Sequence, residues 1–157
     1  MAKYDDPGNP TITVQIGHTQ IPNVLVDLGA AINVMTIETV RKLGLTNLRP
    51  TPTVLELADR STIKPEGILD DLVISVDSWE YPVDFLVLQP KSQLGGHPLI
   101  MGRPWLATVD ACINCRSVFM TISDGTETKN LTLYPPAQPS LEAETSFWME
   151  PKEEEGV

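Results

Sequence analysis

Through the first 134 positions the chain alternates short apolar runs with Pro- or Gly-bearing breaks, roughly every eight to twelve residues, a rhythm of short strands and turns. Thr11–Ile16 alternates at period two, meets a hairpin turn at Gly17-His18-Thr19-Gln20, and Ile21–Val26 returns. His18 falls on that turn as a solvated residue. Ile32–Met35 is short and apolar. Thr36 then stands where an N-cap belongs, Ile37, Val40 and Leu43 share one helical face, and Gly44 ends a brief helix. Val54–Ala58 and Thr62–Ile63 flank a polar tip, Asp59-Arg60-Ser61, and predict a second hairpin. Ile68–Val76 and Tyr81–Leu88 read as longer strands, with Pro82 favouring an edge position in the second. Lys91–His97 is a loop. Leu99–Met101 precedes a short helix that Pro104 suits in its first turn. Ala111–Cys115, Val118–Ser123 and Leu131–Tyr134 complete an all-β set.

Length and composition narrow the picture. The 157 residues suit one domain at 11–134, an N-terminal extension at 1–10, and an acidic tail at 135–157. The tail holds six acids (Glu142, Glu144, Glu150, Glu153, Glu154, Glu155) against Lys152, so it carries −5 of the formal −10. Acidic, Pro-containing and unpatterned, it predicts disorder, with Phe147-Trp148-Met149 as a small docking motif or a polyprotein remnant. Neither part has the basic stripe that neutralises phosphates, which argues against nucleic acid, and an anionic membrane would repel both. There is no apolar leader and no run of membrane-spanning length, so the expected location is cytoplasmic. Cys112 and Cys115 are spaced C-x-x-C on a strand that turns them to opposite faces. His18 and His97 are isolated, so no metal is expected and the thiols read as reduced and partly buried. Asp70 and Asp71 likewise face opposite ways and make no carboxylate pair.

The chemistry-bearing segment is Val24-Leu25-Val26-Asp27-Leu28-Gly29-Ala30. β-formers deliver a single carboxylate into a turn of small residues, a dry setting with backbone N–H groups close by, where a carboxyl pKa moves. Taken alone, the same seven residues also describe an ordinary Asp-x-Gly strand end. The chain has no Gly-x-Ser-x-Gly and no His-Glu-x-x-His, which sets aside nucleophilic hydrolases and zinc peptidases.

Val26-Asp27-Leu28-Gly29-Ala30-Ala31-Ile32-Asn33-Val34-Met35, then Leu57-Ala58-Asp59-Arg60-Ser61, Gly67–Val73, Pro82–Leu88 and Pro98-Leu99-Ile100-Met101-Gly102-Arg103-Pro104-Trp105-Leu106 occur in that order. Over residues 11–134 the chain thereby resembles the retropepsin-type aspartic proteases, in particular the protease domain of plant long-terminal-repeat retrotransposons of the Athila-like group. The resemblance implies a closed acid-protease barrel with a flap hairpin and one or two short helices. It implies Asp27 as the catalytic residue, Leu28, Gly29 and Ala30 as the active-site loop, and Ala58, Asp59, Arg60, Ser61 and Thr62 as the substrate-binding flap. No cofactor is implied. One Asp-x-Gly per chain implies a homodimer whose two carboxylates share a proton and act on an extended peptide, a retroelement polyprotein. Arg103 maps to a structural arginine near the dimer base, with a plain salt bridge as its simpler role.

Leu28 departs from the Ser or Thr that most retropepsins carry there, and the lost cross-dimer hydrogen bond costs about 1 kcal/mol. The expectation is a looser dimer and weaker activity. The same departure supports a different class of reading, a catalytically silent binding or scaffold module in which Asp27 is a structural carboxylate.

Overall fold

The computed structural model describes residue 3 and residues 10–57, 59–89, 94–134 and 150–153, the last by backbone alone. Its strands are β1 (Thr11–Ile16), β2 (Thr19–Val26), β3 (Val34–Thr36), β4 (Thr53–Glu56), β5 (Thr62–Ile63), β6 (Gly67–Val76), β7 (Trp79–Leu88), β8 (Leu99–Met101), β9 (Cys112–Asn114), β10 (Phe119–Ser123), β11 (Thr128–Thr132) and β12 (Glu150–Glu153). Two six-residue helices, α1 (Ile37–Lys42) and α2 (Arg103–Thr108), follow β3 and β8. Six strands close a barrel in the order β1-β2-β8-β3-β7-β6. A second sheet runs β11-β10-β9 and a third β12-β4-β5.

Local chemistry accounts for the connections. The Asp77-Ser78 turn between β6 and β7 places both residues at positive φ, 47° and 69°, as a two-residue hairpin with the right twist requires. Thr36 caps α1 by accepting the Thr39 N–H at 3.2 Å, and Gly44 ends the segment at φ 65°. Pro82 lies in β7, inside the barrel order. However, β3 pairs only with Leu86–Leu88, so β7 has β6 alone beside it at Pro82. The missing N–H faces an open side there.

Period-two alternation divides the apolar residues of the central strands between two cores. Val24, Val26, Met35, Phe85, Val87, Leu99 and Met101 point into the larger, with Trp105 and Leu106 from α2. Their neighbours Leu25, Val34, Leu86, Leu88 and Ile100 point the other way, into a smaller cluster with Ala30, Leu55 and Leu94. Both faces of β2, β3, β7 and β8 are thus covered, which is why these strands read as unbroken apolar runs. Each large side chain so buried contributes roughly 1.5–3 kcal/mol.

Three expectations change. The C-terminal segment is not wholly unpatterned, since Glu150–Glu153 pairs antiparallel with β4. Cys112 and Cys115 are exposed rather than partly buried. Asp70 and Asp71 together form a bulge in β6 in place of plain alternation: Asp70 ion-pairs with Arg49, while Asp71, at φ 51°, donates its N–H to Asp84 Oδ1 at 2.8 Å. In the 91–97 loop, Leu94 and His97 are buried, and His97 Nδ1 lies 2.9 Å from the Asn23 carbonyl. Residues 91–93 and Phe147–Met149 lie outside the described residues.

Candidate functional site

β2 carries Asp27 out of the barrel next to β8, which inserts between β2 and β3. Val26 is registered parallel to Met101, and Met35 antiparallel to Leu99. The Asp27 N–H donates to the Met101 carbonyl at 3.1 Å, so the loop begins on a fixed strand end. Ala30 N–H returns to the Asp27 carbonyl at 3.3 Å, and the Arg103 N–H donates to the Ala30 carbonyl at 2.9 Å. The loop is therefore held by backbone bonds at both ends.

Asp27 as a residue is 4% exposed. Oδ1 accepts the Gly29 N–H at 2.8 Å, whereas Oδ2 is buried with no partner among the described residues. Burial raises the Asp27 pKa above the ordinary carboxylate value, and the Gly29 hydrogen bond opposes that only in part. Gly29 is suited to its place because a Cβ there would stand 3.1 Å from Asp27 Oδ1 and press on the carboxylate. Leu28, next in the chain, is 60% exposed, while Ala30 is fully buried.

Asn33 and Gly102 complete the loop, and neither was assigned a role from sequence. Asn33 Oδ1 accepts the Gly102 N–H at 2.8 Å, and the Asn33 carbonyl accepts the Leu86 N–H at 3.0 Å. One buried amide thus ties the segment after Asp27 to β7 and to the start of α2. Gly102 has no room for a side chain, since an added Cβ would lie 2.3 Å from the Ile32 carbonyl and 2.8 Å from that of Ala30. A polar residue interrupting the Ile32–Met35 run was the available signal for Asn33. For Gly102 the signal was an apolar strand ending at glycine.

The hairpin of β4 and β5 stands over the same region. Leu55, Leu57 and Ile63 join the smaller cluster that holds Ala30 and Leu25. Its tip is exposed at Asp59, Arg60, Ser61 and Thr62 and turns at Arg60, φ 68°. The Ser61 N–H and hydroxyl both donate to Asp59 Oδ1, which holds the Asp59 pKa below the carboxylate range. Ala58 lies outside the described residues. Among the described residues no hydrogen bond joins this tip to Asp27, so hairpin and loop meet through apolar packing.

A family model described as aspartyl protease matches residues 12–105, more than half of the chain and inclusive of everything just described. The chain belongs to the aspartyl protease family. This aspartyl protease family domain also superimposes on the crystal structure of the retroviral protease-like domain of Ddi1 from Leishmania major. The TM-score is 0.62 at 18% identity, over 82% of this chain and 97% of that one. The likeness is one of fold, a retropepsin-like barrel. No curated protein sequence matches this family member.

Other features of the family domain lie apart from Asp27. A cavity of about 400 Å³ is lined by Asn33, Asp71, Tyr81, Asp84, Phe85 and Trp105, and not by residues 27–30. Arg103 reaches the loop by its backbone N–H. Among the described residues its guanidinium has no carboxylate partner, so the expected salt bridge is replaced by a main-chain link. Among the described residues no three His, Cys, Asp or Glu side chains gather to hold a metal, and no helix is long and apolar enough to cross a membrane.

Proposed function

We propose that the chain is an aspartic endopeptidase that works as a two-fold homodimer, each copy contributing one Asp27. The observation that carries this reading is an Oδ2 without a partner among the described residues, on a carboxyl whose other oxygen is fixed by Gly29. Two such groups brought together cannot both ionise, so the pair keeps one proton. The ionised member draws a proton from a water while the protonated member donates to the scissile carbonyl. Leu28, exposed beside Asp27, gives the loop an apolar surface to bury against a partner. The substrate is an extended peptide under the β4–β5 flap, bound largely through backbone hydrogen bonds. A retroelement polyprotein is the proposed source.

The test is peptide cleavage as a function of pH and of protein concentration. Cleavage is expected to be greatest at mildly acidic pH and to fall as pH rises past the raised Asp27 value. Its specific rate should climb with concentration until dimers predominate. Asp27→Asn should abolish cleavage while leaving the circular dichroism spectrum unchanged. Residual cleavage by that variant would refute the assignment of Asp27.

A second reading, a retropepsin-fold binding module without turnover, has its own support. The chain by itself leaves only 4% of Asp27 exposed, and Leu28 has no hydroxyl to brace a partner loop. A mass that stays monomeric at every working concentration, with no cleavage at any pH, favours that reading.

A further inference from the structure

The hairpin of β4 and β5 has only four and two residues in its strands. Two strands of that length are marginal without further support. β5 covers one edge of β4 through Leu55↔Ile63 and Glu56↔Thr62. The other edge is occupied by β12, in the register Glu150↔Glu56, Pro151↔Leu55, Lys152↔Val54 and Glu153↔Thr53. Every residue of β4 is therefore paired by a segment from the far end of the chain.

We infer that the outer edge of β4 is a strand-accepting site for an extended peptide, and that Glu150–Glu153 fills it in cis as a strap on the hairpin. The sequence of the segment suits that place. Proline and charged residues are what edge strands use to stop further pairing, so Glu-Pro-Lys-Glu both completes β4 and closes the sheet to another strand. The long connection between β4 and β12 costs little extra, because loop-closure entropy grows only with the logarithm of length. A tethered strand acts at an effective concentration on the order of millimolar, so a free peptide competes only at similar concentration. Where the hairpin serves as a flap, its opening has to shed or carry this strand. That consequence rests on the proposed function, whereas the pairing itself does not.

The experiment is hydrogen–deuterium exchange on the full chain and on a chain ending at Met149. Residues 53–57 are expected to exchange at least about tenfold faster in the shortened chain, with β2 and β7 unchanged. A synthetic peptide of residues 148–157, at millimolar concentration, should restore the protection. Lys152→Pro in the full-length chain removes one N–H without altering length and should reproduce the loss. Equal exchange at 53–57 in all three proteins overturns the inference. So does acceleration spread evenly over the barrel, which would mean general loosening. A chain with no peptidase activity but with strap-dependent exchange at β4 separates failure of the proposed function from failure of the strap.

Discussion

Asp27 works against its own charge. The residue is buried, and among the described residues one carboxyl oxygen has a single N–H donor and the other has none. Because its pKa is raised in the fold, between the ordinary carboxylate value and the raised one the folded chain holds a proton that the unfolded chain has already released. Stability therefore falls as pH rises from the ordinary carboxylate value through the raised one, and the full penalty is present above it. Asp27→Asn removes the penalty while keeping an acceptor for the Gly29 N–H. Its melting temperature should exceed that of the parent at neutral pH, by roughly 2–4 °C for each 1 kcal/mol relieved. The difference should close below about pH 4, where both states are protonated. Calorimetry across that range checks it, and a difference independent of pH would show that the charge is not the cause. Burial also depresses the His97 pKa, but that ring sits against the Asn23 carbonyl, away from this loop.

Among the elements, the segment between Asp27 and β3 and the turn into α2 depend on one amide. Asn33→Ala would leave the buried Gly102 N–H without its acceptor, a loss of about 1–3 kcal/mol. Denaturant unfolding should show a lowered midpoint at unchanged slope. Gly102→Ala should be as damaging for a different reason, since its Cβ meets backbone carbonyls that cannot rotate away. Much of the element plan was legible in the residues themselves. Thr36 and Gly44 bound α1 because capping is local chemistry, and Gly17-His18 turns β1 into β2 for the same reason. The place of Asp27 was legible because an acid breaking an apolar run before Leu-Gly-Ala is unusual. Asn33 was not, because a lone polar residue reads alike whether water or a buried N–H satisfies it. The bulge at Asp70-Asp71 and the pairing of Glu150–Glu153 also escaped, since each depends on a partner strand far away in sequence.

For the molecule as a whole, the proposed dimer is the quantity to measure. Among the described residues Leu28 is one of three large apolar side chains left exposed, and it adjoins Asp27. Replacing it with threonine would supply the hydroxyl that most retropepsins have there. Leu28→Thr is expected to tighten association by about 1 kcal/mol, roughly fivefold in the dimer dissociation constant. Sedimentation velocity over a concentration series measures this, and weaker association of the variant would instead make the leucine itself the contact. The formal charge of −10 means that added salt should favour assembly by screening repulsion between copies.

The parallel pairing of β2 with β8 has a temporal consequence. Leu25 is bonded into register with Ile100, and the Asp27 N–H with the Met101 carbonyl, so the anchor of the acidic turn is the last barrel strand to be synthesised. While a ribosome is still making the chain, the aspartate has no scaffold. Such distant contacts also slow folding relative to a hairpin-built domain. Under the proposed function, cleavage therefore cannot begin before β8 has been synthesised and paired with β2.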